Sequence, residues 1–289
     1  MLFLPGFIIY VIFKLLPLFG IIIAFEDYTF KGGIFGSEFV GLEHFKTLFR
    51  NKDFYDVLRN TIKISILKLV ISFPFPIILA LLYNEIKDGI FKRVTQSITY
   101  LPYFFSWVVL SGLIVSVLSP STGIVNKIIV ALGGNPIYFL ASEQWFVPIL
   151  VITNIWQGIG WGSIIYLAAI CNVSPELYES AMLDGATKFQ KNIYITIPSI
   201  MPTIITMFIL SLGGILDAGF DQVFNLYNPA VYEVADIIDT YVYREGIGNY
   251  RYSYSTAITL FKTAIGTCTI LVSNYLVKKI SDDKTAGLF

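Results

Sequence analysis

Long apolar runs alternate with shorter polar ones along this chain. Six apolar runs, at roughly 2–25, 61–83, 94–118, 145–170, 200–220 and 253–277, carry few charges. A helix of about 20 residues crosses the hydrocarbon core of a bilayer. Lipid offers the backbone no hydrogen-bond partner, so each run is predicted to be a membrane-spanning helix. Pro17, Pro74, Pro76 and Pro102 predict kinks within them. Gly158 and Gly162 in "GIGWG" predict a close helix–helix approach.

The polar stretches are not alike. "FVGLEHFKTLFRNKDFYDVLRN" reads as an amphipathic element on the membrane surface, and "STGIVNKIIVALGG" as a short surface helix. Residues 221–252 are rich in tyrosine, with Tyr227, Tyr232, Tyr241, Tyr243, Tyr250 and Tyr252, and Tyr254 just beyond. Two readings stand side by side for them: interfacial anchors, or a docking surface for another protein.

The loop 171–199 has an internal grammar. Ser174 and Pro175 predict a helix start, with the serine hydroxyl as cap and proline at the first helical position. Glu176 and Glu179 suit the positive end of the helix dipole. Gly185 ends or turns that helix. A second short helix, "ATKFQKNIYI", is expected to run to Pro198. The elbow would carry Leu177, Ala181 and Met182 on one face and Glu179, Asp184, Lys188 and Lys191 on another. A plain connector has no need of a cap, a proline and a glycine in register, so this reads as a knob for a partner's groove.

Composition agrees with the pattern. The chain is 55% hydrophobic and 14% charged, with mean hydropathy +0.71, against roughly 25% charged residues in soluble domains. Its net charge of zero gives nucleic acid no electrostatic footing. Cys171 and Cys268 read as small buried side chains rather than a disulfide. His44, the single histidine, builds no metal site or catalytic constellation by itself. No G-x-x-x-x-G-K-[ST] loop is present, so this chain does not cradle ATP. The first apolar run lacks the basic flank and cleavage site of a signal peptide. Six spans place both termini on one side. Lys and Arg divide equally, eight to each side, but are denser in the short segments 84–93, 171–199 and the tail, which are therefore expected to be cytoplasmic.

"ESAMLDGATKFQKNIYITIPSIMP" resembles the EAA motif of permease subunits in binding-protein-dependent ABC importers, matching at Glu179, Ala181, Asp184, Gly185, Ala186, Ile195, Pro198 and Pro202. It departs at Ser180, Asn192 and Ile197, where alanine, an aromatic and leucine are usual. "FVGLEHFKTLF" with Asn60–Thr61 resembles the first extracytoplasmic loop of sugar-type permeases. "GFDQVFNLYNPAVYEVADIIDTYVYREG" resembles the subgroup importing oligosaccharides of complex polysaccharides. The resemblance implies an all-α integral membrane protein of one domain over 1–289, with six spans and a cytoplasmic helix–glycine–helix coupling loop, the type I importer permease fold. It also implies a bacterial cytoplasmic membrane, a second homologous permease, two ATPase subunits that carry ATP and Mg²⁺, and a solute-binding protein outside. Glu179, Ala181, Asp184, Gly185 and Ala186 would contact the ATPase.

Polar residues inside spans usually face a cavity or a partner. Lys14, Lys68, Asn154, Gln157, Asp217, Lys262 and Asn274 qualify. A sugar presents both hydroxyls and C–H faces, so "NIWQGIGW" stands out, with Asn154, Trp156, Gln157 and Trp161. Asn154, Gln157 and Trp161 share one helical face. Helix-to-helix bonding is the alternative for that face, and Lys68 and Lys262 either bind a sugar carboxylate, snorkel, or pair with Asp217. A stand-alone secondary transporter is the rival reading, but no internal repeat is evident. A membrane enzyme fails for want of catalytic residues.

Overall fold

The computed structural model describes residues 3–280 and is almost entirely helical. The expected start of the first span at Leu2 and the basic tail past Ile280 lie outside the described residues. Among the described residues, five helices are long and apolar enough to cross a bilayer: span 1 (Leu4–Phe25), span 2 (Lys52–Glu85), span 4 (Glu143–Cys171), span 5 (Lys188–Gly213) and span 6 (Tyr252–Leu276). Span 3 is a bent pair, Ile90–Phe104 and Trp107–Leu118, set at 105°. The kink expected of Pro102 in the 94–118 run is here a full break between two limbs. Around Pro102 the helix tightens over Leu101–Phe104, and Phe105 and Ser106 then adopt extended backbone.

Prolines shape the other spans differently. Proline lacks an N–H and its ring crowds the carbonyl four residues back. In spans 1, 2 and 5 a wide π turn ends two residues before a proline: Val11–Leu15 before Pro17, Lys68–Ser72 before Pro74, and Asn192–Thr196 before Pro198. The wider turn relieves the crowded carbonyl and the helix continues.

Two spans extend past their apolar segments. Span 2 begins at Lys52 rather than 61, because the Asn51 side chain caps it by accepting from the Asp53 N–H at 3.0 Å, while Phe54 and Val57 face a core. At 34 residues it is about 50 Å long, well beyond the hydrocarbon core of about 30 Å. The surface element expected before it is therefore shorter, Glu43–Arg50. Span 5 begins at Lys188 and ends at Gly213, not at 200 and 220. The short helix anticipated within 121–134 is present at Ile124–Ala131, and its buried Asn126 bonds four times to the surrounding backbone.

Close packing fixes how the spans cross. Span 4 lies along span 2 and the first limb of span 3. A Cβ on Gly160 would stand 2.1 Å from the Thr99 carbonyl oxygen, and one on Gly162 3.0 Å from Pro76. Gly158 meets nothing within 4 Å, so the close approach expected of Gly158 and Gly162 belongs to Gly160 and Gly162. Spans 5 and 6 cross where a Cβ on Gly266 would lie 2.7 Å from the Gly213 carbonyl oxygen.

The largest buried clusters gather at the end where span 2 starts and span 4 starts. Short helices from Phe220 to Tyr243 pack there on spans 2 and 4, burying Ile237, Ile238, Val223, Phe146 and Leu150. Tyr241 and Tyr254 are buried, and both hydroxyls accept from Asn51 Nδ2, at 2.8 and 3.3 Å. Those two are core, whereas Tyr250 is exposed. Asp239 takes Lys262 of span 6 on both carboxylate oxygens, at 2.6 and 2.7 Å. Cys171 and Cys268 are exposed free thiols, not buried ones; their small side chains lie on the outside of the bundle.

Gly160→Ala should overpack the contact with Thr99 and cost about 1–3 kcal/mol, lowering the melting temperature in detergent, while Gly158→Ala leaves it unchanged. Asp239 supplies a pH test. Burial pushes its carboxyl above the ordinary value of 3.8, and Lys262 opposes that rise. A carboxyl raised in the folded state favours folding below its unfolded value, and that contribution is lost as pH climbs through the folded one. Lys262→Met removes the opposition and leaves the charge unpaired, for a loss of about 3 kcal/mol near neutrality. Melts from pH 5 to 8 should show the variant weakening toward high pH more steeply than the parent, and Asp239→Asn added to it should flatten the profile.

Candidate functional site: the elbow and the cavity

Two places carry polar chemistry that the fold itself does not need. The first is the elbow after span 4. Its helix is Pro175–Leu183, with Pro175 in the first turn and Glu176 at the positive end. Ser174 occupies the cap position, but its hydroxyl makes no capping bond, contrary to expectation. The far end is closed by glycine. Gly185 has φ +77°, its N–H donates to the Met182 carbonyl at 3.1 Å, and the Ala186 N–H reaches back to Ala181 at 2.9 Å. These paired bonds satisfy carbonyls that a helix end otherwise leaves open.

The second arm differs from the expected short helix ending at Pro198. Thr187 and Gln190 form a reciprocal capping box, and the helix begun at Lys188 continues as span 5 through the wide turn before Pro198. The elbow is therefore one short helix braced on the base of a long one. Its outer surface is apolar and uncovered: Leu177, Met182, Leu183 and Phe189 are exposed, Leu183 at 91%. Glu179 and Asp184 are exposed beside them. Of the residues singled out on this helix, Ala181 alone is partly covered, and Ala186 beyond the glycine likewise.

The second place is a cavity of about 420 Å³ between spans 2, 4 and 5, lined by Lys68, Ser72, Asn154, Gly158, Ser211 and Asp217 among others. Lys68 lies in the wide turn of span 2. Its ammonium donates to the Ala218 carbonyl at 2.6 Å and to Gln222 Oε1 at 2.5 Å. Gln222 is buried, and its Nε2 donates to Leu150 O and Thr153 Oγ1, both at 2.8 Å. Thus one lysine links span 2 to the loop after span 5, and through Gln222 to span 4. Ser65 and Ser72, both at the wall, keep buried hydroxyls without a partner in the described structure. A buried orphan hydroxyl costs free energy unless something polar meets it.

Asn154 and Asp217 come together at this cavity. Asp217 sits in the loop after span 5, not on its last turn, and accepts from the Gly219 N–H at 3.1 Å. Trp156, Gln157 and Trp161 are not among its lining residues. Trp161 stacks flat on Tyr103, with centroids 4.7 Å apart and planes at 4°, and meets Phe104 edge-on. Lys262 is held by Asp239 rather than by Asp217. Gln222 escaped sequence reasoning because it lies on a short helix outside every apolar run, where a glutamine gives no signal of burial.

The chain matches the model of the binding-protein-dependent transport system inner membrane component over residues 72–282. It is 44% identical over all of its length to Protein LplB of Bacillus subtilis, covering 90% of that protein. It is also 44% identical to the polygalacturonan/rhamnogalacturonan transport system permease protein YteP of Bacillus subtilis, over 97% of this chain and 87% of that one. A chain in the crystal structure of a bacterial alginate ABC transporter, in complex with an alginate pentasaccharide-bound periplasmic protein, superposes with TM-score 0.88 at 40% identity, covering 97% of this chain and 94% of the other. A bent third span, an elbow closed by glycine, a polar cavity among the spans and this likeness in sequence and shape lead to one assignment: the chain belongs to the family of inner membrane permease components of binding-protein-dependent ABC transport systems.

Proposed function

We propose that this permease forms half of the membrane pathway of an importer for acidic oligosaccharides. A second homologous permease supplies the other half. Two ATPase subunits bind ATP and Mg²⁺ and dock at the elbow, and a solute-binding protein delivers the sugar on the opposite side. Both termini and the elbow lie in the cytoplasm, and the whole chain works as one domain. The observation that carries the reading is the elbow: an apolar tip, uncovered in this chain, on a helix closed by Gly185 and built directly onto span 5. An exposed apolar helix face of this kind fits a groove in a partner.

The cavity supports the substrate class. Its cation, Lys68, is hydrogen-bonded by neutral oxygens and shares the cavity with the Asp217 carboxylate, which acts on its charge from a distance. A sugar carboxylate would compete with Asp217 for Lys68, while Asn154 and the orphan serines present groups for hydroxyls. The relatives named for polygalacturonan, rhamnogalacturonan and alginate handle acidic polymers. Gln157, Trp156 and Trp161 would serve the pathway outside this cavity, the Trp161 indole being half exposed with one face stacked on Tyr103.

Glu179→Lys reverses a charge at the docking surface. Breaking a charge-assisted contact there costs about 2–5 kcal/mol, so the ATPase should no longer co-purify. Gly185→Val faces no steric contact within 4 Å, but must hold φ +77°, which is strongly disfavoured for a β-branched residue. That variant should insert normally and uncouple hydrolysis from uptake. Normal docking and coupling in both would reduce the elbow to a connector. Orientation is checked separately, with Cys171 and Cys268 replaced: an impermeant thiol reagent should label a cysteine at Lys188 from the cytoplasmic side and one at Asn249 from outside.

A further inference from the structure

The elbow helix touches the rest of the chain through one polar residue on its inner side, Tyr178. Its hydroxyl lies 3.0 Å from Thr196 Oγ1. Thr196 is fully buried in the wide turn at the base of span 5. Its Oγ1 lies 3.3 Å from Asn192 Oδ1, and Asn192 Nδ2 donates to Glu85 Oε1 at 3.3 Å. Glu85 is the last residue of span 2, and its other oxygen holds Lys188 at 3.0 Å. The proton directions are mutually consistent. Thr196 Oγ1 also lies 3.4 Å from the Lys191 carbonyl oxygen. Both that oxygen and Asn192 Oδ1 only accept, so when Thr196 gives its one proton to either of them, Tyr178 donates to Thr196.

We infer that Tyr178, Thr196, Asn192 and Glu85 are positioning residues that clamp the elbow to spans 2 and 5, so that a push on the elbow moves those two spans with it as one body. This rests on the elbow being the ATPase contact. The covalent links alone do not require such a body. The elbow joins span 4 through Asn172–Ser174 and span 5 through Gly185–Thr187, and it has no covalent link to span 2. Ala80 of span 2, Tyr166 and Ile170 of span 4 and Ile200 of span 5 already pack into one apolar cluster, and Lys188 pairs with Glu85. What the polar chain adds is the tie from the elbow helix itself to that body. The wide turn makes this possible by setting Asn192 and Thr196 where their side chains bond to each other and to both neighbours. Each link taken singly is an ordinary hydrogen bond, but a continuous chain ending on a carboxylate polarises along its length.

The test uses the whole importer, with Cys171 and Cys268 replaced and spin labels at Ser180 on the elbow helix and Leu82 on span 2, both exposed. Distances are read by double electron–electron resonance without nucleotide and after trapping with ATP and vanadate. In the parent complex the Ser180–Leu82 distance should stay the same in both states. Thr196→Val keeps the shape and removes the hydroxyl, and Tyr178→Phe removes only the hydroxyl at the other end. In each, trapping should shift or broaden the distance by several Å, while Thr196→Ser stays locked as the parent does. Uptake of oligogalacturonide per ATP hydrolysed should fall about tenfold in the two broken variants and hold in Thr196→Ser. A distance that already changes in the parent overturns the inference, as does a locked distance in both Thr196→Val and Tyr178→Phe. If Thr196→Val fails to assemble, Tyr178→Phe decides alone. An ATPase that does not co-purify with the parent complex is a different result: it sinks the docking assignment, and the clamp with it.

Discussion

In lipid a backbone polar group has only the protein to bond with, and that one constraint orders this molecule. A proline inside a span breaks the rule locally, because it brings no N–H and crowds a carbonyl. Three spans meet the problem with a wide turn ending two residues before the proline. The turns have a second effect, since widening a helix changes which way its side chains project. Lys68 lies in the wide turn of span 2 and points its ammonium across to the loop after span 5. Asn192 and Thr196 lie in that of span 5 and join three elements. Lys68, Asn192 and Thr196 are thus set in place by the repair of a backbone defect.

The spans were legible because hydropathy measures what the bilayer selects. It does not measure where a helix stops. Span 2 extends to Lys52 because Asn51 caps it, and span 5 extends to Lys188 because Thr187 does; both extensions are polar and invisible to an apolar window. The elbow's glycine was readable from type and position alone, since few other residues accept φ near +77°. The choice of face on span 4 was not. Spacing groups Asn154 with Gln157 and Trp161, but the cavity takes Asn154 with Gly158. Which neighbours a helical face meets is decided by packing, and Gly160 and Gly162 turn the helix toward span 3 and Pro76.

Burial is distributed as the solvent dictates. Within the most apolar windows of the spans, between 6% and 33% of residues are buried in this chain, because lipid tails are as apolar as leucine and give helices little reason to hide from them. The dense cores lie instead at one end, where Tyr241, Tyr254, Ile237, Ile238 and Phe146 pack beneath short helices. That end lies outside the apolar runs, among short polar-flanked helices, and apolar burial has its usual driving force wherever water is the solvent.

The crossing of spans 5 and 6 has a mechanical side. Gly266 meets the Gly213 carbonyl, and the Ile270 side chain of span 6 closes over Gly213, so the crossing is pinned against sliding. From Lys188 to Gly213 span 5 has 26 residues, an arm of about 39 Å. Asp217 and the cavity mouth lie just beyond the contact. Such a bar has its fulcrum almost under the load: a wide sweep at the elbow becomes a small displacement beside Asp217, traded for force.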